Sequence, residues 1–274
     1  MNEKGLSFEY LLFPGFTRYQ TIPSGEERET ISHLQSGAWV LSNFSTVNEV
    51  KTALLSILVC VEPVAKLGGM VPPLHAAVHD SRGKGIVIEY VDGKLSIHEN
   101  KIGVMTNGPP YDWQIINLRN YVNLTPVNPK PVKVRGLLVP PTGMGAGMLG
   151  LPADITPPSR FVRIAMILEA ALEPATSEEA LILAQHVVNT VDIPLGFVRQ
   201  HHKNKTTYEL TQYATFMDLT NKVFYYRTYK NMTLRSVSLD KINFESGSPR
   251  FKMPIRSGSY IIDQTNKLIS SKTQ

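Results

Sequence analysis

A chain of 274 residues can bury one large core, as a single domain or as two tightly joined ones. Hydrophobic residues at 42% and charged residues at 19% make this a globular composition rather than a disordered one. The formal charge of +5 comes from scattered residues such as Lys203, Lys205, Lys222, Lys230 and Arg235, without interleaved aromatics, and reads as a solvated surface rather than a nucleic-acid footprint. The single cysteine, Cys60, excludes an intrachain disulfide framework and a multi-cysteine metal centre. Its apolar neighbours Ile57, Leu58, Val59 and Val61 make it a buried, inert thiol. The start of the chain has no basic and apolar signal pattern, so as written it reads as cytoplasmic. No apolar run approaches the roughly 18 residues of a membrane span.

Helical spacing predicts helix between about Glu27 and Leu58, in two pieces. Ile31, Leu34, Ala38 and Leu41 mark the first. Thr46 to Glu49 opens the second as a capping box, with Val50, Ala53, Leu54 and Ile57 on its apolar face. The period then becomes that of strands: Leu74 to Asp80, Ile86 to Val91, Leu95 to Glu99 and Gly103 to Thr106. The turns between the first three, one of them Asp92-Gly93, are too short for anything but an antiparallel meander. A Pro- and Gly-rich stretch follows from Thr125 to Pro158. Helices return over Ser159 to Leu172 and Ser177 to Val191, the latter announced by a capping box at Thr176 to Glu179. A second meander is predicted over Thr211 to Asp218, Val223 to Tyr229 and Leu234 to Leu239. The tail after Phe244 offers only Ser259 to Ile262 as a strand.

Two helix pairs and two meanders bury their apolar faces either as a four-layer αββα sandwich or as two separate two-layer α+β domains. Periodicity alone leaves both open.

Among residues that could carry chemistry, His75 and His79 would share a zinc-binding face on a helix. On a strand they stand about 13 Å apart, too far for one metal. His201-His202 reads as a solvated pair in a polar loop. The run Gly143 to Gly150 resembles a phosphate cradle but lacks the strand before it and the Gly-Lys-Ser/Thr close, so a tight loop with close backbone approach fits it better. Asn107 ends the 103–106 strand at a sharp turn, where its amide could serve as an oxyanion donor or as a turn residue. Thr156 is a fair N-cap ahead of Pro157-Pro158. Arg160 falls in the opening turn of the next helix, where the dipole disfavours a cation. Such a residue has a partner, in a site or in a structural salt bridge.

Four segments together resemble the choloylglycine hydrolase family, which includes bile salt hydrolases and penicillin V acylases among the N-terminal nucleophile hydrolases. They are Met1-Asn2-Glu3-Lys4-Gly5-Leu6; Asn43 to Val50; Thr106-Asn107-Gly108-Pro109 with Asp112-Trp113-Gln114; and Gly150-Leu151-Pro152 with Thr156 to Phe161. The resemblance runs in order from Met1 to about Leu239. It implies the αββα sandwich, one domain over residues 1–274, hydrolysis of a small-molecule linear amide and a homo-oligomer; no cofactor, metal, nucleic-acid partner or membrane is expected. It also places Asn107 and Arg160 on active-site positions.

In that family the nucleophile is a processed N-terminal Cys whose α-amino group acts as base. Here the Met-Asn-Glu-Lys-Gly motif opens the chain, so the nucleophile is absent and the sequence is expected to be N-terminally truncated and inactive as written. Leu12 occupies a substrate-side position where bile salt hydrolases carry Asn and penicillin V acylases often carry Tyr, and Leu donates no hydrogen bond. The alternative expectation is a non-catalytic binding protein that keeps the cleft.

Overall fold

In the computed structural model, residues 1–25, 29–203, 205–255 and 261–264 are described. The chain is α+β and clusters into two compact units. One consists of Met1–Val191 with Asp218–Lys222; the other consists of Asp192–Met217 with the described residues from Val223 on.

The first unit is built on a four-stranded antiparallel sheet with order β1-β4-β5-β6. Its strands are β1 (Leu6–Leu12), β4 (Leu74–Asp80), β5 (Gly85–Val91) and β6 (Lys94–Glu99). The register pairs Leu6 with Asp80, Tyr10 with Ala76, Ala76 with Ile88, and Ile88 with Ile97. Alternation sends Leu6, Ala76, Val78, Ile86, Ile88 and Tyr90 to one face. There they meet Val40 of α1 (Ser36–Asn43) and Val47, Val50 and Leu54 of α2 (Val47–Leu54). The opposite face carries Val87, which packs with Val104, with Tyr111 of α3 (Tyr111–Asn117), and with Phe161 and Ala165 of α4 (Pro157–Ala170). Being covered on both sides, β5 reads Gly-Ile-Val-Ile-Glu-Tyr-Val, apolar on both faces apart from Glu89. Helix α5 (Ser177–Asn189) completes the unit's helices.

Two of the segments quoted for the family resemblance meet in space. Asn2 donates from Nδ2 to the carbonyls of Leu41 and Phe44 and accepts at Oδ1 from the amides of Lys4 and Leu6. Gly5, with φ of 78°, lies where any Cβ would strike the Leu219 carbonyl, so only glycine fits this turn.

Several expectations are corrected. Helix does not extend across residues 29–58. Thr30–Ser32 is a short strand, β2, paired in parallel with β3 (Leu58–Cys60), and the first helix begins at Ser36. The β-branched Thr30 and Ile31 take the extended form, and Cys60 sits half-buried on a strand. Residue Glu27 lies outside the described residues. Gly103 to Thr106 forms no ladder; the Val104 amide instead goes to the Asn100 side chain and the Thr106 hydroxyl to the Pro157 carbonyl. The capping box at Thr46 is complete. At Thr176 only half of one forms: the hydroxyl takes the Glu179 amide, while the Glu179 carboxylate goes to the Ala175 amide. The Pro-rich stretch holds a hairpin, β7 (Val132–Val134) and β8 (Leu137–Val139).

The second unit contains the hairpin β9 (Val198–His202) with β10 (Lys205–Glu209), and a meander β11 (Tyr213–Asp218, all but its last residue), β12 (Val223–Thr228) and β13 (Asn231–Ser238). His201-His202 therefore lies on an exposed strand rather than in a loop, with His201 Nδ1 3.0 Å from the Thr206 hydroxyl. Ser259 lies outside the described residues, and Ile261 and Ile262 have no regular structure.

Candidate active site

Three segments converge in the first unit: the end of β1, the turn between β6 and α3, and the start of α4. The turn runs Asn107-Gly108-Pro109-Pro110, with Gly108-Pro109 in cis. A side chain on Gly108 would enter the ring of Phe16, so glycine lets the turn lie flat against that ring. From inside, Gln114 donates to the Pro109 carbonyl at 3.3 Å.

Arg160 reaches this turn from the first turn of α4. Its Nε donates to the Ile155 carbonyl at 3.0 Å and its Nη2 to Asn107 Oδ1 at 2.7 Å. The cation set against the helix dipole is thus held by carbonyl oxygens. A guanidinium only donates, so the Asn107 amide must turn its oxygen toward Arg160 and its NH2 away. That NH2 donates to the main-chain carbonyl of Leu12 at 2.5 Å. One amide hydrogen of Asn107 then remains, with no further protein acceptor recorded among the described residues.

Leu12 joins the constellation through its backbone, which any residue would offer there, while its side chain is 57% exposed. Beside it Phe16 is 38% exposed and stacks on the buried Phe13 at 5.2 Å between centroids. A polar pair backed by a cation therefore sits at the rim of an apolar wall.

The start of α4 is braced in a way that sequence reasoning missed. Thr156 stands at the N-cap but makes no capping bond to backbone: Pro158 has no amide to offer, and the hydroxyl is engaged by side chains rather than by the Ser159 amide. Its hydroxyl and amide go instead to Asp154 Oδ1, at 2.5 and 2.9 Å, and Ser159 donates to Asp154 Oδ2 at 2.6 Å. These bonds hold the Asp154 carboxyl down to about 2. Arg163, 7% exposed, donates to the carbonyls of Pro152, Asp154 and Thr190 at 2.9, 2.7 and 2.5 Å. The signal for it was a lone cation inside the apolar run Phe161-Val162-Arg163-Ile164-Ala165.

The remaining candidates go elsewhere. His75 and His79 project from the same face of β4 toward different carboxylates, Glu89 at 3.3 Å and Glu9 at 3.9 Å. In the glycine loop the amides of Gly145 and Ala146 are both taken by Asn128 Oδ1, which uses up the donors an anion would need. Gly147 lies where a side chain would strike the Thr125 and Val127 carbonyls, the close backbone approach that its glycines suggested.

The sequence matches the family model for linear amide C–N hydrolases, choloylglycine hydrolase family, over residues 1–252. It is 35% identical over 247 residues to a bile salt hydrolase/transferase of Clostridium perfringens, covering 89% of this chain and 73% of that one. It is 34% identical over 261 residues to a bile salt hydrolase/transferase of Lactiplantibacillus plantarum, covering 94% and 77%. The structure resembles that of a variant of the conjugated bile acid hydrolase from Clostridium perfringens. Their TM-score is 0.83 at 32% identity, covering 97% of this chain and 79% of that one. The penicillin V acylase of Agrobacterium tumefaciens shares the fold, at a TM-score of 0.69 and 22% identity over 90% of this chain and 68% of that one.

Proposed function

This chain belongs to the linear amide C–N hydrolases, choloylglycine hydrolase family, and from that premise we propose that Asn107 and Arg160 receive the carbonyl oxygen of a small linear amide. The observation that carries the reading is the locked orientation of Asn107. Its oxygen is committed to Arg160 and one N–H to Leu12, so a single donor of fixed direction remains. Preorganised donors of this kind stabilise the oxyanion of acyl transfer because they need no reorientation as charge develops. Arg160 acts behind Asn107, polarising the amide and fixing its orientation. Exposed Leu12 and Phe16 supply apolar contact beside the donor, which suits an amide with an apolar acyl group of the bile-salt or penicillin V type. Leu12 brings no side-chain donor, so Asn107 carries this duty without help from that position.

For the 274-residue polypeptide itself the reading is binding without turnover. Its single thiol, Cys60, is half-buried on β3, in a strand paired with β2. Calorimetric titration with glycocholate, taurocholate and penicillin V should show saturable binding to one of them, while ninhydrin detection of released glycine stays at background. Turnover that disappears on substituting Cys60, or no binding to any of the three, would contradict this.

The chain is further read as self-associating through the β7–β8 hairpin, whose Val132, Val134, Leu137, Leu138 and Val139 are 40–70% exposed. A two-stranded hairpin presenting that much apolar surface is marginal by itself. Light scattering should find an oligomer that Val134→Asp with Leu137→Asp converts to monomer. A parent chain that is monomeric at every concentration would refute it.

A further inference from the structure

Glu89 is 1% exposed and points from β5 into the face of the sheet that supports the site. A carboxylate buried this deeply is costly to desolvate, and an apolar residue of similar size would serve the core as well or better. Its surroundings explain what the charge is used for. Both oxygens of Glu89 accept the amide of Tyr111, at 3.0 and 3.2 Å. That amide opens α3, four residues beyond Asn107. The same carboxylate faces His75 Nδ1 at 3.3 Å and His98 Nε2 at 3.7 Å. The His75 ring in turn lies flat on Phe13, 4.3 Å between centroids and 2° from parallel. Phe13 follows Leu12 directly, its amide tied to the Pro73 carbonyl at 2.7 Å, and its ring lies where a Cβ on Gly108 would come within 3.4 Å of it.

Glu89 thus grips both sides of the Asn107–Leu12 hydrogen bond. One arm runs through the Tyr111 amide to the turn that carries Asn107. The other runs through His75 and Phe13 to the backbone that carries the Leu12 carbonyl. We propose that Glu89 and His75 are positioning residues of the amide site, a buried carboxylate–imidazole brace that sets the separation and direction of the Asn107 donor. This rests on the reading of Asn107 as a substrate-facing donor. It adds a cause for that residue's geometry which neither Arg160 nor the turn supplies.

The test uses the side-chain NH2 resonances of Asn107 in 15N-labelled protein, identified by their disappearance in Asn107→Ala, together with glycocholate affinity. Glu89→Gln keeps size and polarity but removes the charge that holds His75 and the Tyr111 amide together. It should shift or broaden the Asn107 pair and weaken glycocholate about tenfold in a protein that still melts cooperatively. His79→Ala, on the same strand but facing Glu9, should leave both readouts unchanged. Should Glu89→Gln fail to fold, His75→Gln takes its place, removing the ring from Phe13 while keeping a hydrogen-bonding side chain. A folded Glu89→Gln or His75→Gln with Asn107 resonances identical to the parent overturns the brace. Resonances that move while Asn107→Ala binds glycocholate as the parent does would leave the brace standing and refute the substrate role of Asn107.

Discussion

Replacing Arg163 by Met tests how the start of α4 is held. Methionine refills most of the buried stem, so the change isolates the guanidinium and its three carbonyl partners, Pro152, Asp154 and Thr190. Hydrogen bonds to a charged group are worth about 1.5–3 kcal/mol each. Pro152 is half-buried and Asp154 and Thr190 are exposed residues, so water recovers part of the loss. A net cost of about 3–5 kcal/mol follows. At about 2–4 °C per kcal/mol for a chain of this size, the melting temperature should fall by about 6–20 °C. Arg163→Lys, which keeps the charge but not the three-way fork, should fall in between. Thermal unfolding followed by circular dichroism reads both. A loss for Arg163→Met of under about 2 °C would show that the three carbonyls are satisfied without it, and that Arg160 stands on a helix start braced by other means.

Removing Asp154 should produce a stability loss that depends on pH in a defined direction. Its carboxyl is held near 2 in the folded chain against an ordinary 3.8, so its contribution is full above about pH 4 and is lost as pH falls toward 2. The gap in melting temperature between the parent and Asp154→Ala should be constant from neutral pH to about 4 and narrow below that; a gap that widens on acidification would contradict the assignment. Phe161, wholly buried between α3 and the sheet, should cost about 3–5 kcal/mol on truncation to Ala in chemical denaturation. A cost below about 1 kcal/mol would mean that the core on this face is not packed as described.

The meander β4-β5-β6 was legible because its turns are short and its alternation strong. Its members fall within about one residue of the expected bounds. The helix start at Ser36 was not, because Ile31 and Leu34 happen to fall on helical spacing with Ala38 and Leu41. Only the ladder with Leu58–Cys60 reveals that Thr30–Ser32 is extended. β1 escaped notice although Leu6 to Tyr10 alternate, because Leu11 breaks the alternation and the strand it pairs with is distant in sequence. The short α3 was hidden by the prolines that precede it.

At the site, Asn107 and Arg160 stood out as residues, one by its turn and one by its conflict with the helix dipole. Their 2.7 Å hydrogen bond joins positions 53 residues apart, a contact that no local pattern encodes. The part played by Leu12 was unreadable for a different reason: its backbone oxygen does the work, and side-chain identity says nothing of that. Glu89 is the one charge in an apolar strand, a signal that the sequence reading passed over. Its meaning needed the register that sets it beside His75 and, on the diagonal, His98.

A double-mutant cycle on glycocholate binding, with Asn107→Ala, Arg160→Leu and their combination, tests most directly whether the two residues act as one donor. Arg160 works here by orienting Asn107, so once Asn107 is gone the loss of Arg160 should cost little more. The account predicts that each single change weakens binding about tenfold and that the double mutant is weakened by little more than either, a coupling of about 1–2 kcal/mol. Losses that add to within about 0.5 kcal/mol, or an Asn107→Ala chain that binds as the parent does, would contradict it.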